Sequence, residues 1–134
     1  MALTQLTPVE NWTKIINDNY ALINKLPIDG VVVTNSGIVF KNGASAQNFK
    51  CCYLQFNGFK LVTMAFDQLV CPISCNGKAI MSVPANLAPS HPVAAVCNNK
   101  STLNNYISTD FIWWSDATTD QNNQVVSMTY IHLD

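Results

Sequence analysis

Charge is what this 134-residue chain has least of: Asp, Glu, Lys and Arg together make up 11%, against roughly a quarter in an average soluble domain. Arginine is absent, Glu10 is the sole glutamate, and every basic residue is a lysine. With a net charge of −1 and no local cluster of lysines, the electrostatic footprint of a nucleic-acid binder is missing, and nucleic acid is set aside as a partner. No apolar run approaches the ~20 residues of a membrane span, so insertion into a bilayer is not expected. The N-terminus lacks the basic, apolar and small-residue blocks of a secretory leader, which points to synthesis and folding in a cytosol. Missing too are a glycine-rich phosphate loop, a nucleophile elbow and a cysteine beside a histidine. The length suits one domain with one core.

What replaces charge is uncharged polar chemistry, above all asparagine and threonine, in clusters such as Asn98-Asn99, Asn104-Asn105 and Asn122-Asn123. Such a surface suits hydroxylated partners. Cys51, Cys52, Cys71, Cys75 and Cys97 are odd in number, which fits reduced thiols in a core better than a disulfide framework. Cys71 and Cys75 have a tolerable zinc spacing, but no second pair follows, so no metal and no other cofactor is expected.

The clearest local signal opens the chain. Thr7 can serve as N-cap, Pro8 takes the first helical position, and Glu10 completes a capping box. Val9, Trp12, Ile16, Asn19, Ile23 and Leu26 then fall at alternating steps of three and four, a single stripe that Pro27 ends. Its spacing is that of a coiled-coil seam with Asn19 as the polar member that fixes register. So short a helix is marginal alone in water, and identical copies would supply its partners, as a parallel bundle of three or as a dimer. The other reading packs the stripe on the chain's own sheet.

After Pro27 the period changes to two. Val31 to Val33 and Ile38 to Phe40 read as a hairpin joined by Thr34-Asn35-Ser36-Gly37. Cys51 to Phe56 and Phe59 to Phe66 read as a second hairpin around Asn57-Gly58. Further strands are expected at Lys78 to Val83, Val93 to Cys97, Thr102 to Ile107, Phe111 to Trp114 and Val125 to Leu133. Pro72, Pro84, Pro89 and Pro92 stand between them, where a missing amide does least harm. Many short strands with frequent turns indicate an antiparallel sandwich or barrel.

The order of these pieces resembles the head domains of tailed-phage fibre and receptor-binding proteins over most of the chain. The segment Asn11-Trp12-Thr13-Lys14-Ile15-Ile16-Asn17-Asp18-Asn19-Tyr20 is similar to the short helix that opens many phage structural proteins. The hairpin Leu54 to Phe66 follows. Ser82-Val83-Pro84-Ala85-Asn86-Leu87-Ala88-Pro89 looks like the loop that leads from a strand into a proline-bounded crossing segment, and Ser127-Met128-Thr129-Tyr130-Ile131 resembles the closing strand. The resemblance implies a mainly β chain: an assembly and docking helix in residues 1–27 and a jelly-roll-like β-sandwich head in residues 28–134. It further implies a homotrimer made in a host cytoplasm and carried on the virion. Its partners would be its own copies, other virion proteins docked through the helix, and a host cell-surface glycan. The chain departs from the pattern in lacking arginine and a long shaft repeat between helix and head.

Saccharide recognition needs an aromatic face for the apolar side of a sugar and polar groups for its hydroxyls. Asp110-Phe111-Ile112-Trp113-Trp114-Ser115-Asp116 offers both. Alternation sends the two tryptophans to opposite faces of a strand without saying which faces out. If Phe111 and Trp113 share the core side, Trp114 with Asp110 and Asp116 becomes the platform, and His91 is a further possible donor to a ligand hydroxyl. The alternative is that Trp114 packs against a neighbouring subunit. Asp116, Asp120 and Asn122 lie in a polar loop that lacks the glycine and closing glutamate of a calcium loop. Glycan hydrolysis needs two placed carboxyls; Glu10 is spent as a cap, Asp110 and Asp116 would meet only if the loop folded back, and catalysis is not expected. The expected function is a trimeric fibre or receptor-binding head. The alternative is a purely structural head-fibre, decoration or baseplate subunit that binds no sugar.

Overall fold

The structure, a computed structural model, describes residues 12–23 and 30–134, without the side chains of residues 12, 13 and 23. Helix α1 spans Trp12–Ile23. Among the described residues nine strands follow: β1 Val31–Val33, β2 Val39–Phe40, β3 Ser45–Phe56, β4 Phe59–Cys71, β5 Lys78–Ser82, β6 Val93–Val96, β7 Thr102–Asn105, β8 Asp110–Trp114 and β9 Gln121–Leu133. They form two sheets, a four-stranded one in the order β1-β3-β4-β9 and a five-stranded one in the order β2-β5-β8-β7-β6. All the pairings are antiparallel. The mainly β, sandwiched architecture expected from the sequence is the one observed.

Alternation along the strands builds the core. Val62, Met64 and Phe66 of β4 and Val126, Met128 and Tyr130 of β9 line the inner side of the four-stranded sheet. Opposite them lie Met81, Leu103, Phe111 and Trp113 of the five-stranded sheet. Each such side chain, fully buried, stabilises the fold by roughly 1.5–3 kcal/mol. Phe111 and Tyr130 meet across the sandwich with ring centres 6.2 Å apart. The Tyr130 hydroxyl donates to the Leu87 carbonyl at 2.7 Å, so the buried phenol is satisfied. At the other end Phe40 of β2 closes edge-on over Phe49 and Phe66, at 5.9 and 6.0 Å.

The Asn57-Gly58 turn joins β3 to β4 with Phe56 opposite Phe59, and Gly58 takes the left-handed φ of +87° that a glycine adopts without cost. Both strands run longer than their apolar stretches suggest. The extra length is gained across bulges at Asn48 in β3 and Gln68 in β4, both left-handed.

One expected pairing is corrected. Val31 to Val33 and Ile38 to Phe40 do not form a hairpin: β1 pairs with β3, and β2 with β5 in the other sheet. The Thr34 amide donates to the Cys51 carbonyl at 2.9 Å, which keeps the chain on β3. It then turns at Gly37, over the Pro84 ring, and crosses the open side of the sandwich. Strands of three and two residues offer each other few ladder bonds, whereas each gains a longer partner by separating.

The segment after β5 holds one turn of 3-10 helix, Ala85–Leu87, then runs beside β9. The Ser90 amide donates to the Ile131 carbonyl at 3.0 Å and the Leu133 amide to the Ser90 hydroxyl at 2.7 Å. That covers the free edge of β9.

The capping box at Thr7, Pro8 and Glu10, the stripe's Val9 and Leu26, the stop at Pro27 and the boundary between 27 and 28 lie outside the described residues. Of the stripe, Ile16 is exposed and Asn19 half-buried. Lys14 and Asp18 form an i,i+4 ion pair at 2.5 Å on the helix surface.

Cys51, Cys71, Cys75 and Cys97 are buried free thiols, and Cys52 is partly exposed. Burial pushes the Cys51 and Cys97 thiols up to about 11 and the Cys71 thiol up to about 12, with Cys52 adding to the first and Cys75 and Cys97 to the last. Tyr130 moves the same way for the same reason. A folded-state value above the unfolded one contributes stability that is complete below the unfolded pKa and is lost as pH rises toward the folded one. The thermal midpoint in reducing buffer should therefore hold up to pH 9, near the ordinary thiol value of 9.0, and fall between pH 9 and 11. A midpoint flat across that interval would contradict this burial.

Candidate functional site

The conditional placed on β8 is met. Phe111 and Trp113 are buried while Trp114 is 44% exposed, so Asp110, Ile112 and Trp114 share the outer face of the five-stranded sheet. The register then supplies their neighbours. Trp114 stands opposite Thr102 of β7, and Thr102 opposite Val96 of β6. In the next row Ile112 stands opposite Asn104, and Asn104 opposite Ala94. The result is an exposed indole, a hydroxyl and an amide beside it, and an exposed valine about 10 Å away across two strand spacings.

Trp114 is held by what lies under it. Gly77, at φ +73°, passes beneath the six-membered ring so closely that a Cβ there would come within 3.2 Å of it. The Gly77 amide donates to the Trp113 carbonyl at 2.7 Å, and the Ser115 amide to the Asn76 side-chain oxygen at 2.6 Å. Both ends of the Trp113–Trp114 step are thereby pinned to the turn before β5.

The carboxylates expected around Trp114 are placed differently from one another. Asp110 is at the opposite end of β8, about 13 Å along the strand, and its carboxylate accepts from Lys41 Nζ at 2.9 Å. Asp116 is exposed, two residues beyond Trp114 in the following coil. His91 is exposed in the loop before β6; since Val93 pairs with Asn105, it lies at the Asp110 end. The structure thus groups Trp114 with Thr102 and Asn104, and leaves both Asp110 and His91 away from them, toward the other end of β8. Of the calcium-like loop, Asp120 accepts from the Ile73 amide at 2.9 Å.

Two features had no clear sequence signal. The β7–β8 turn exposes Tyr106 and Ile107, with Ile107 at φ +59°, a conformation uncommon for a β-branched residue. It is held by the buried Asn105, whose amide donates to the Ser108 and Asp110 carbonyls at 2.7 and 2.9 Å. A cleft of about 200 Å³ opens where the chain crosses between the sheets, with Tyr53, Ser36 and Asn86 on its walls.

No protein-family model matches the chain, and no curated protein matches it. Among solved structures, the fold is similar to that of the receptor binding protein (gp15) of Listeria phage PSA, with a TM-score of 0.63 at 17% identity. The likeness covers 92% of this chain and 76% of that one. The two share a fold.

Gly77→Ala tests the support under the indole. A left-handed φ costs an alanine about 1–2 kcal/mol, and its methyl would displace the Trp114 ring. The thermal midpoint should drop by several degrees with a change in tryptophan emission, whereas an unchanged midpoint and spectrum would mean that Gly77 does not set the Trp114 position.

Proposed function

We propose that the chain is a structural subunit of a phage virion, a trimeric receptor-binding head that attaches to a host-surface saccharide through the outer face of its five-stranded sheet. The observation that carries the reading is the fold shared with a phage receptor binding protein along nearly the whole chain. The face supports it chemically: Trp114 offers a flat apolar surface for a sugar ring, and Thr102 and Asn104 offer hydrogen bonds to its hydroxyls. In this reading α1 joins the copies and docks them on other virion proteins, with the sandwich turned toward the host.

Binding is favoured over glycan hydrolysis because Asp110 is engaged by Lys41 and lies at the far end of β8 from Trp114. That same engagement favours, as a second reading, a structural subunit that takes no sugar.

A glycan array separates the two. The protein should label a restricted set of glycans, and Trp114→Ala should reduce that signal by about tenfold, the loss that follows from removing about 1.4 kcal/mol of apolar contact. No signal, or a signal indifferent to the substitution, would overturn the saccharide reading in favour of the structural one.

A further inference from the structure

The two outer faces of the sandwich differ in kind. On the four-stranded sheet the register aligns Val31, Leu54, Leu61 and Ile131 in one row across all four strands. On one side of it Phe56 stacks on Phe59, 4.6 Å apart and 5° from parallel, with Leu133 beyond. On the other side Val33 and Cys52 lead to Thr63 and Thr129, whose hydroxyls bond each other at 3.0 Å. Val31, Val33 and Leu133 are 64%, 66% and 60% exposed. None of these three rows contains an ionisable carboxyl, imidazole or amine; Lys50 first appears in the row after them.

From these rows we infer that the outer face of the four-stranded sheet is an interface with further copies of this chain, so that the Trp114 face is left outward. The inference deepens the assembly part of the reading above and rests on it.

Charge and area choose the occupant. A face without charge gives an oppositely charged partner no purchase, yet identical copies can meet on it without like-charge repulsion, as a symmetric assembly requires. Four strands about 4.8 Å apart and three side-chain rows about 6.8 Å apart make a plate of roughly 400 Å². That is about half of the ~800 Å² each partner buries in a standard-size interface, and it is the size of the contiguous apolar patches that are often functional on a protein surface. The Ser90 segment already covers the β9 edge at Ile131 and Leu133, so a copy does not add a strand there.

The test is mass in solution, by sedimentation at micromolar concentration, on the full chain and three single variants. Ile131→Lys places the same charge on every copy in the middle row of the face and should weaken assembly by about a hundredfold or more. Val96→Lys, on the outer face of the other sheet, should leave assembly unchanged. Ile16→Asp on α1 separates the helix from the sheet. If the wild-type chain is monomeric, both the inference and the assembly reading fall. If it assembles and Ile16→Asp dissociates it while Ile131→Lys does not, the assembly reading stands and this inference is overturned. Dissociation by Val96→Lys as readily as by Ile131→Lys would also overturn it, because the effect would not belong to one face.

Discussion

The contact between Phe111 and Tyr130 is the constraint on which the two outer faces depend. Each ring belongs to a different sheet, and each points inward to meet the other. Because side chains alternate along a strand, turning Phe111 inward turns Asp110, Ile112 and Trp114 outward. Turning Tyr130 inward does the same to Thr129, Ile131 and Leu133. Slipping either strand by one residue would bury a charge or a hydroxyl and expose an aromatic ring, so the core contact fixes both surfaces. The bond from the Tyr130 hydroxyl to Leu87 adds the segment that covers the β9 edge.

What could be read in the sequence was what local chemistry decides. Asn57-Gly58 announced its hairpin because few dipeptides turn a chain so tightly, and the alternation around Trp113 and Trp114 offered only two arrangements. Val31 to Val33 and Ile38 to Phe40 misled because both have strand chemistry and a turn-like link, while their true partners are set by chain that comes later. Bulges were hidden for a related reason. Asn48, Gln68 and Asn123 hold left-handed backbone inside long strands, and the apolar period breaks there although the strand continues.

The site was legible in its centre and not in its surroundings. Trp114 stood out as an aromatic residue beside a buried one. Thr102 and Asn104 carry no signal of their own, since they become its neighbours only through the β7–β8 register. The flanking aspartates drew attention by sequence proximity, which along an extended strand means distance. The apolar outer face of the four-stranded sheet was equally hidden: its row combines residues from β1, β3, β4 and β9, separated by up to a hundred positions in the chain.

A chain with so little charge covers its surface with amide and hydroxyl groups or with partner surface, and in the proposed reading the two faces divide those roles. Cys52 reports directly on that division, because it lies on the apolar outer face and is the one cysteine of the five that is not buried. Its rate of reaction with a maleimide can be followed in the wild-type protein as the concentration is lowered through the assembly midpoint. The account predicts a slow reaction in the assembled protein and a fast one after dilution. Equal rates at both concentrations would contradict it.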